Sequence, residues 1–176
     1  MHFVATDIDG VMLVEPEPHA DDRGCFARLY CPAEFAQAGI DFASRQISLS
    51  RNPQPRTLRG IHYQDPPNAE GKLVRVTRGR VFDVAIDLRT HSSTFRRWTG
   101  VELDADSMRA LYIPPGCAHG FLTLEADTDV IYQIDRDHVA GIGRGVRWND
   151  PAFGIVWPAI PELISERDAS WPDFDG

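Results

Sequence analysis

Gly71-Lys72-Leu73-Val74-Arg75-Val76-Thr77-Arg78-Gly79-Arg80-Val81-Phe82-Asp83-Val84-Ala85-Ile86-Asp87-Leu88 is the stretch that decides the fold class. Valine and isoleucine crowd both sides of Arg78-Gly79, which predicts strands over Leu73–Thr77 and Val81–Leu88. With Arg78-Gly79 as a two-residue hairpin loop, Thr77 would face Arg80, Val76 would face Val81 and Val74 would face Asp83. Side chains alternate along a strand, so Lys72, Val74, Val76, Val81, Asp83 and Ala85 share one side. Leu73, Arg75, Phe82, Val84 and Ile86 take the other. Lys72 then sits on an apolar face diagonal to Asp83, where a charge needs an anionic neighbour. It is also the only lysine among 18 Lys and Arg residues. A compact ammonium on a flexible stem suits a point negative charge better than a guanidinium fork does.

Outward from this stretch the same pattern continues. Val101–Leu103, Ala110–Ile113, Gly120–Leu124 and Val130–Ile134 read as further strands, punctuated by 13 prolines and 14 glycines. Short strands at such spacing point to an all-β sandwich or barrel. One helix is expected at Pro32–Ala38, with proline in its first turn and Gly39 placed to stop it. The length of 176 residues fits one domain, 1–176, able to bury a core.

Composition narrows the function. A net charge of −8 opposes nucleic acid as a partner, because phosphate neutralisation needs a basic footprint. A local arginine cluster can still hold one anionic small molecule. No apolar run reaches the roughly 18–20 residues that span a bilayer, and the N-terminal residues lack the pattern of a secretory signal. A cytoplasmic protein without membrane partners is expected. The three cysteines, Cys25, Cys31 and Cys117, have no zinc-type spacing and are expected as buried free thiols.

Of the six histidines, His2, His19 and His91 lie in polar contexts and are expected at the surface. His62 and His119 are framed by glycine and proline. Pro114-Pro115-Gly116-Cys117-Ala118-His119 matches the Pro-x-Gly-x-x-His element of the cupin β-barrel superfamily, whose tight turn aims the histidine inward. The segment that would supply a second ligand pair reads His62-Tyr63-Gln64, which leaves too few ligands for a metal site. No metal and no cofactor is expected.

A fuller resemblance covers nearly the whole chain. It is carried by Asp22-Arg23-Gly24, Leu58-Arg59-Gly60-Ile61-His62-Tyr63-Gln64, Gly71-Lys72-Leu73-Val74-Arg75-Val76 and Val81-Phe82-Asp83-Val84-Ala85-Ile86-Asp87. Ile113-Pro114-Pro115-Gly116, Ala118-His119-Gly120-Phe121, Tyr132, Arg147-Trp148-Asn149-Asp150-Pro151 and Ser165-Glu166-Arg167-Asp168 follow in order. In these blocks the chain resembles the dTDP-4-dehydrorhamnose 3,5-epimerase family. The resemblance implies a cupin-like double-stranded β-helix, or jelly-roll barrel, with a few short peripheral helices. It implies a homodimer and a nucleotide-sugar substrate with a ketone at carbon 4. It also implies His62 as base, Asp168 as its orienting partner and Tyr132 as acid. Lys72 and His119 would contact the sugar, and Arg23 and Arg59 the diphosphate. Gln46, Ser48 and His138 fall on nucleotide-side positions.

These residue types suit the chemistry. A ketone acidifies the adjacent carbons 3 and 5, and a histidine side chain takes a proton near neutrality. An aspartate on its other nitrogen fixes the tautomer, a phenol returns a proton from the far face, and Lys72 meets the charge on the ketone oxygen. The other arginines are expected as solvated surface.

Departures from the family pattern cluster on the nucleotide side. Gln46-Ile47-Ser48 replaces Gln-Asp-Asn, Arg28 and Gly143 each replace glutamate, His138 replaces a stacking tyrosine, and Arg167 replaces lysine. The expectation is therefore epimerase chemistry at carbon 3, carbon 5 or both, with the nucleotide left open. Two alternatives stand beside it: a metal-dependent cupin enzyme using His62 and His119, and a non-catalytic sugar-nucleotide-binding homologue.

Overall fold

The computed structural model describes residues 1–137 and 139–175, so the expectation for His138 lies outside the described residues. Four short strands open the chain: β1 (His2–Ala5), β2 (Met12–Glu15), β3 (His19–Asp21) and β4 (Gly24–Phe26). Helix α1 (Pro32–Gln37) follows, then β5 (Gln46–Asn52), β6 (Leu58–Tyr63), β7 (Lys72–Arg78) and β8 (Arg80–Asp87). The remainder comprises β9 (Trp98–Asp104), β10 (Ala110–Ile113), β11 (Cys117–Thr123), β12 (Thr128–Ile134), β13 (Arg144–Gly145) and α2 (Glu166–Ala169). All the strands predicted from sequence are present, with bounds that differ by up to three residues, and α1 ends one residue early before Gly39 at φ +77°.

Two sheets face each other. One runs β1-β2-β10-β7-β12-β5 and the other β13-β6-β11-β8-β9, with a separate β3-β4 ribbon. The valine-rich strands that sequence suggested as a hairpin do not pair. β7 bonds to β10 and β12, while β8 bonds to β9 and β11. The reason is local: hairpin turns of type I′ or II′ need positive φ at the first loop residue, and only Gly79, the second, has it (φ +75°). The chain therefore turns a corner from one sheet to the other.

The face assignment survives this correction for a different reason. Val74, Val76, Val81 and Ala85 meet across the barrel interior with Leu111, Phe121 and Val130 in one buried cluster. Leu73 lies outside, packed with Phe35, Phe42 and Tyr112 beneath α1. Val84 and Ile86 lie outside the other sheet, under Phe153 and Trp157 of the C-terminal segment. Each fully buried Val, Leu, Ile or Phe contributes about 1.5–3 kcal/mol. Both faces of β7 are covered, so its first five residues are all buried.

Three expectations fail. Lys72 is not beside Asp83; its ion-pair partner is Glu70, 3.2 Å away. Arg75 is not solvated surface. It is buried on the outer side of β7, where its guanidinium donates to the carbonyls of Met108 (3.1 Å) and Leu29 (3.0 Å) and burial pushes its pKa down to about 10. The thiols are free, but only Cys117 is buried, and Cys25 is exposed on β4. His2, His19 and His91 are at the surface as expected.

The Gly79 corner offers a test of this topology. A Cβ there would press on the Thr128 hydroxyl and lie 3.1 Å from the Thr128 Cα. Gly79→Ala should lower stability by about 1–3 kcal/mol, read as a lower urea midpoint, because strain and overpacking add.

Candidate active site

The site is a cavity of about 630 Å³ between the sheets. It starts from a close crossing of β6 and β11. A Cβ on Gly60 would lie 2.6 Å from the Gly120 Cα and 2.8 Å from the His119 carbonyl, so only glycine allows this approach. The register that results sets His62 directly across from His119.

Asp168 reaches His62 from 106 residues further along the chain. The C-terminal segment is laid along β6 by backbone bonds from Leu58 N–H to Leu163 C=O (2.8 Å) and from Glu162 N–H to Arg56 C=O (2.9 Å). Ser165 then caps α2 by accepting from the Asp168 N–H at 3.1 Å. Asp168 Oδ1 lies 2.7 Å from His62 Nε2, and Oδ2 accepts from the Gly60 N–H at 3.2 Å. Burial opposes ionisation of this carboxyl, but the bonds from His62, Gly60 and Ser165 outweigh it and hold its pKa below the usual range. With Nε2–H given to the carboxylate, Nδ1 is left to take a proton.

Tyr132 comes from β12, in the other sheet. Its ring packs edge-on to His119, with centroids 5.9 Å apart. Burial, then the charge of Asp83, pushes its phenol well above the ordinary value, so it carries its proton at neutral pH. His119 in turn is held by Asp83, with Nε2 2.8 Å from Oδ1. Both histidines thus have a carboxylate on Nε2, and among the described residues no group of three or more His, Cys, Asp or Glu side chains could hold a metal ion.

Gln46, Ser48, Arg59, Lys72 and His119 all line this cavity together with His62, Tyr132 and Asp168. Arg59 is steadied by Asn52, whose Oδ1 accepts from its Nε at 2.7 Å. Arg23 does not join them. It lies exposed on the β3–β4 ribbon, paired with Asp21 at 2.5 Å. Of the departures from pattern, Arg28 is tied to Glu34 at 2.8 Å outside the cavity. Gly143 lines the cavity, and its carbonyl accepts from Arg167 at 2.8 Å. Glu70 and Arg144 line it too and were missed by sequence reasoning. Glu70 stands two residues before Lys72, the one signal that could have found it.

The barrel's two walls present a carboxylate-oriented imidazole and a protonated phenol to one cavity, one group able to take a proton and one able to give it. The chain matches the model of the dTDP-4-dehydrorhamnose 3,5-epimerase family over residues 5–176 and belongs to that family. It is 40% identical over 175 residues to the dTDP-4-dehydrorhamnose 3,5-epimerase of Sinorhizobium fredii, covering 99% of this chain and 90% of the relative. Its fold matches the crystal structure of that enzyme from Bacillus anthracis with TDP and PPi bound, at a TM-score of 0.94 and 36% identity, covering 98% and 99% of the two chains. It also resembles a 3'-monoepimerase from Streptomyces bikiniensis in complex with dTDP-quinovose, at a TM-score of 0.88 and 34% identity, covering 96% and 85%. The barrel is the cupin type, and the chain is an isomerase of nucleotide-linked 4-keto-6-deoxyhexoses. No helix among the described residues is long and apolar enough to cross a membrane.

Asp168→Asn keeps the shape of the pair and removes its charge. A depressed carboxyl contributes stability that is fully present above the ordinary pKa of about 4 and is lost as pH falls through the lower folded value. The stability gap between wild type and variant, measured by denaturant unfolding, should be wide near neutrality and close progressively below about pH 4. A gap that is constant from neutral to strongly acid pH would contradict the assignment.

Proposed function

We propose that His62 is the base and Tyr132 the acid of a 3,5-epimerase acting on a dTDP-linked 4-keto-6-deoxyhexose. The observation that carries this reading is that the two side chains enter one cavity from different sheets, His62 from β6 and Tyr132 from β12. A sugar ring held between them meets a base on one face and a proton donor on the other. His62 takes the proton from carbon 3 or 5, and the electron pair moves onto the ketone oxygen. Tyr132 returns a proton to the carbon from the opposite side, which inverts it. Lys72 holds the enolate oxygen, and Asp168 keeps the imidazole in the working tautomer. Repositioning of the sugar ring brings each carbon in turn to the same base.

Arg59, Gln46 and Ser48 support the nucleotide handle, with the guanidinium suited to phosphate oxygens. The bound TDP and dTDP-quinovose of the relatives favour dTDP. His138 is proposed to add a stacking contact, on the family pattern alone. The three unpaired thiols accord with the cytoplasm.

The active unit is proposed to be a homodimer. The β3–β4 ribbon is exposed along its whole length, with Arg23 in its turn and Phe26, 73% exposed, at its other end. β5 is an edge strand whose outward Ile47 is 67% exposed, next to cavity-lining Gln46 and Ser48. A ribbon laid by one protomer over the partner's β5 covers both apolar surfaces and carries Arg23 toward the diphosphate.

Solvent deuterium wash-in with a dTDP-4-keto-6-deoxyglucose substrate tests the roles. Wild type should take up deuterium at both carbons, and His62→Ala at neither. Tyr132→Phe should retain proton removal while net inversion slows by about 10²–10⁴-fold. Lys72→Arg should cost about 10²–10³-fold in kcat. Wash-in by the His62→Ala protein would remove the base assignment.

Mixing two inactive variants tests the dimer. In a mixed dimer of Arg23→Ala and His62→Ala protomers, one site has both residues intact. After subunit exchange, activity should return to roughly a quarter of wild type, since half the dimers are mixed and each has one good site. No recovery would mean that each ribbon serves its own chain.

A further inference from the structure

Lys72 does not stand alone in the cavity. Glu70 stands two residues before the start of β7 and lines the same cavity, and its carboxylate lies 3.2 Å from the Lys72 ammonium through Oε1. Its other oxygen, Oε2, accepts from Gln64 Nε2 at 2.7 Å. Lys72 Nζ also donates, at 3.5 Å, to the backbone carbonyl of His62. These contacts close a ring that runs from His62 to Gln64 along the end of β6, across to Glu70, and back through Lys72. Both charged side chains are nearly buried, 9% exposed for Lys72 and 10% for Glu70.

The backbone between them is clamped. The Gly71 N–H donates to Asp135 Oδ1 at 2.8 Å, and the Gly71 carbonyl accepts from the Asp135 N–H at 3.2 Å. A Cβ on Gly71 would lie 2.9 Å from Asp135 Oδ2, so no larger residue fits without displacing that carboxylate. Glu70 therefore has a fixed base.

An ammonium carries three N–H donors in a tetrahedral array. One is directed to the His62 carbonyl and the ammonium is ion-paired with Glu70, which together narrow the directions left to a third. We propose that Glu70 is a positioning residue: its carboxylate, held by Gln64 and the Gly71 clamp, aims the free N–H of Lys72 at the sugar's ketone oxygen. The inference rests on the reading of Lys72 as the donor to that oxygen. A carboxylate beside such a donor weakens simple attraction for an anion. Its benefit is to offset the desolvation of a buried cation and to restrict a side chain with several rotatable bonds. The oxygen becomes fully charged only after proton removal, so the benefit falls on the chemical step more than on substrate binding.

Because Lys72 is the only lysine in the chain, growth on ¹³C,¹⁵N-lysine gives a single side-chain spin system to observe. In wild type an anchored ammonium should hold the two Hε protons at separate shifts. Glu70→Ala should merge them and lower kcat by about 10–100-fold, with KM changed less than about threefold. Glu70→Gln, the isosteric variant that preserves the contact with Gln64, should give a smaller loss of kcat in the same direction. Unchanged Hε signals in Glu70→Ala, kcat within about twofold of wild type, or a loss confined to KM would each overturn the proposal. Normal turnover by Lys72→Arg would instead remove the reading beneath it, since no aimed ammonium would then be needed.

Discussion

From β5 to β13 the chain crosses from one sheet to the other at nearly every corner, and the site depends on this crossing. Strands that are neighbours in sequence become opposite walls of a barrel, so groups close in sequence face each other across a cavity. His62 and His119 come from one wall, and Lys72 and Tyr132 from the other. A hairpin at Arg78-Gly79 would have put β7 and β8 in a single wall. The corner instead frees β7 to pair with β12, which sets Tyr132 opposite Val74 in register. Rigid strands hold each group, and rigid placement is what proton transfer in two directions requires.

Three of the basic side chains that line the cavity each have a carboxylate partner. His62 has Asp168, His119 has Asp83 and Lys72 has Glu70. Buried pairs of this kind are poor sources of stability, because desolvation offsets much of their attraction. Asp83 makes the cost visible, since its Oδ2 is buried without a hydrogen-bond partner among the described residues. The same Asp83 charge adds to burial in keeping Tyr132 protonated. Three such pairs around one cavity are better explained by what they do to the orientation and charge of His62, His119 and Lys72 than by what they add to folding.

Much of this was legible in the sequence, and the failures have physical reasons. Alternation assigned the inward and outward faces of β7 and β8 correctly, because burial on both sides of a barrel wall depends on period and not on partner. Pairing was misread because it depends on the φ of one residue, Arg78, which composition does not show. The strands β1 to β6 and β13 went unseen; in β3 and β4 every residue is exposed, so no periodic signal exists. Asp168 carries no local sign of its role, since what brings it to His62 is a segment bonded to β6 by backbone alone. The family pattern found it where spacing could not. Arg75 read as surface because an arginine satisfied by carbonyl groups leaves no charged partner to notice.

The distribution of departures from the family pattern follows the same geometry. His62, Lys72 and Tyr132 sit on central strands whose neighbours on both sides constrain them. The altered positions Ile47 and Ser48 lie on the edge strand β5, and Arg28 lies just beyond the β3–β4 ribbon. Such positions have fewer packing partners within the chain and tolerate change more cheaply. In the proposed dimer they are also the surfaces where two protomers and the nucleotide meet. A substitution there leaves the spacing of His62 and Tyr132 untouched. With the proposed chemistry held in the walls and the proposed recognition at the edge, one barrel can keep a single reaction while its nucleotide contacts drift.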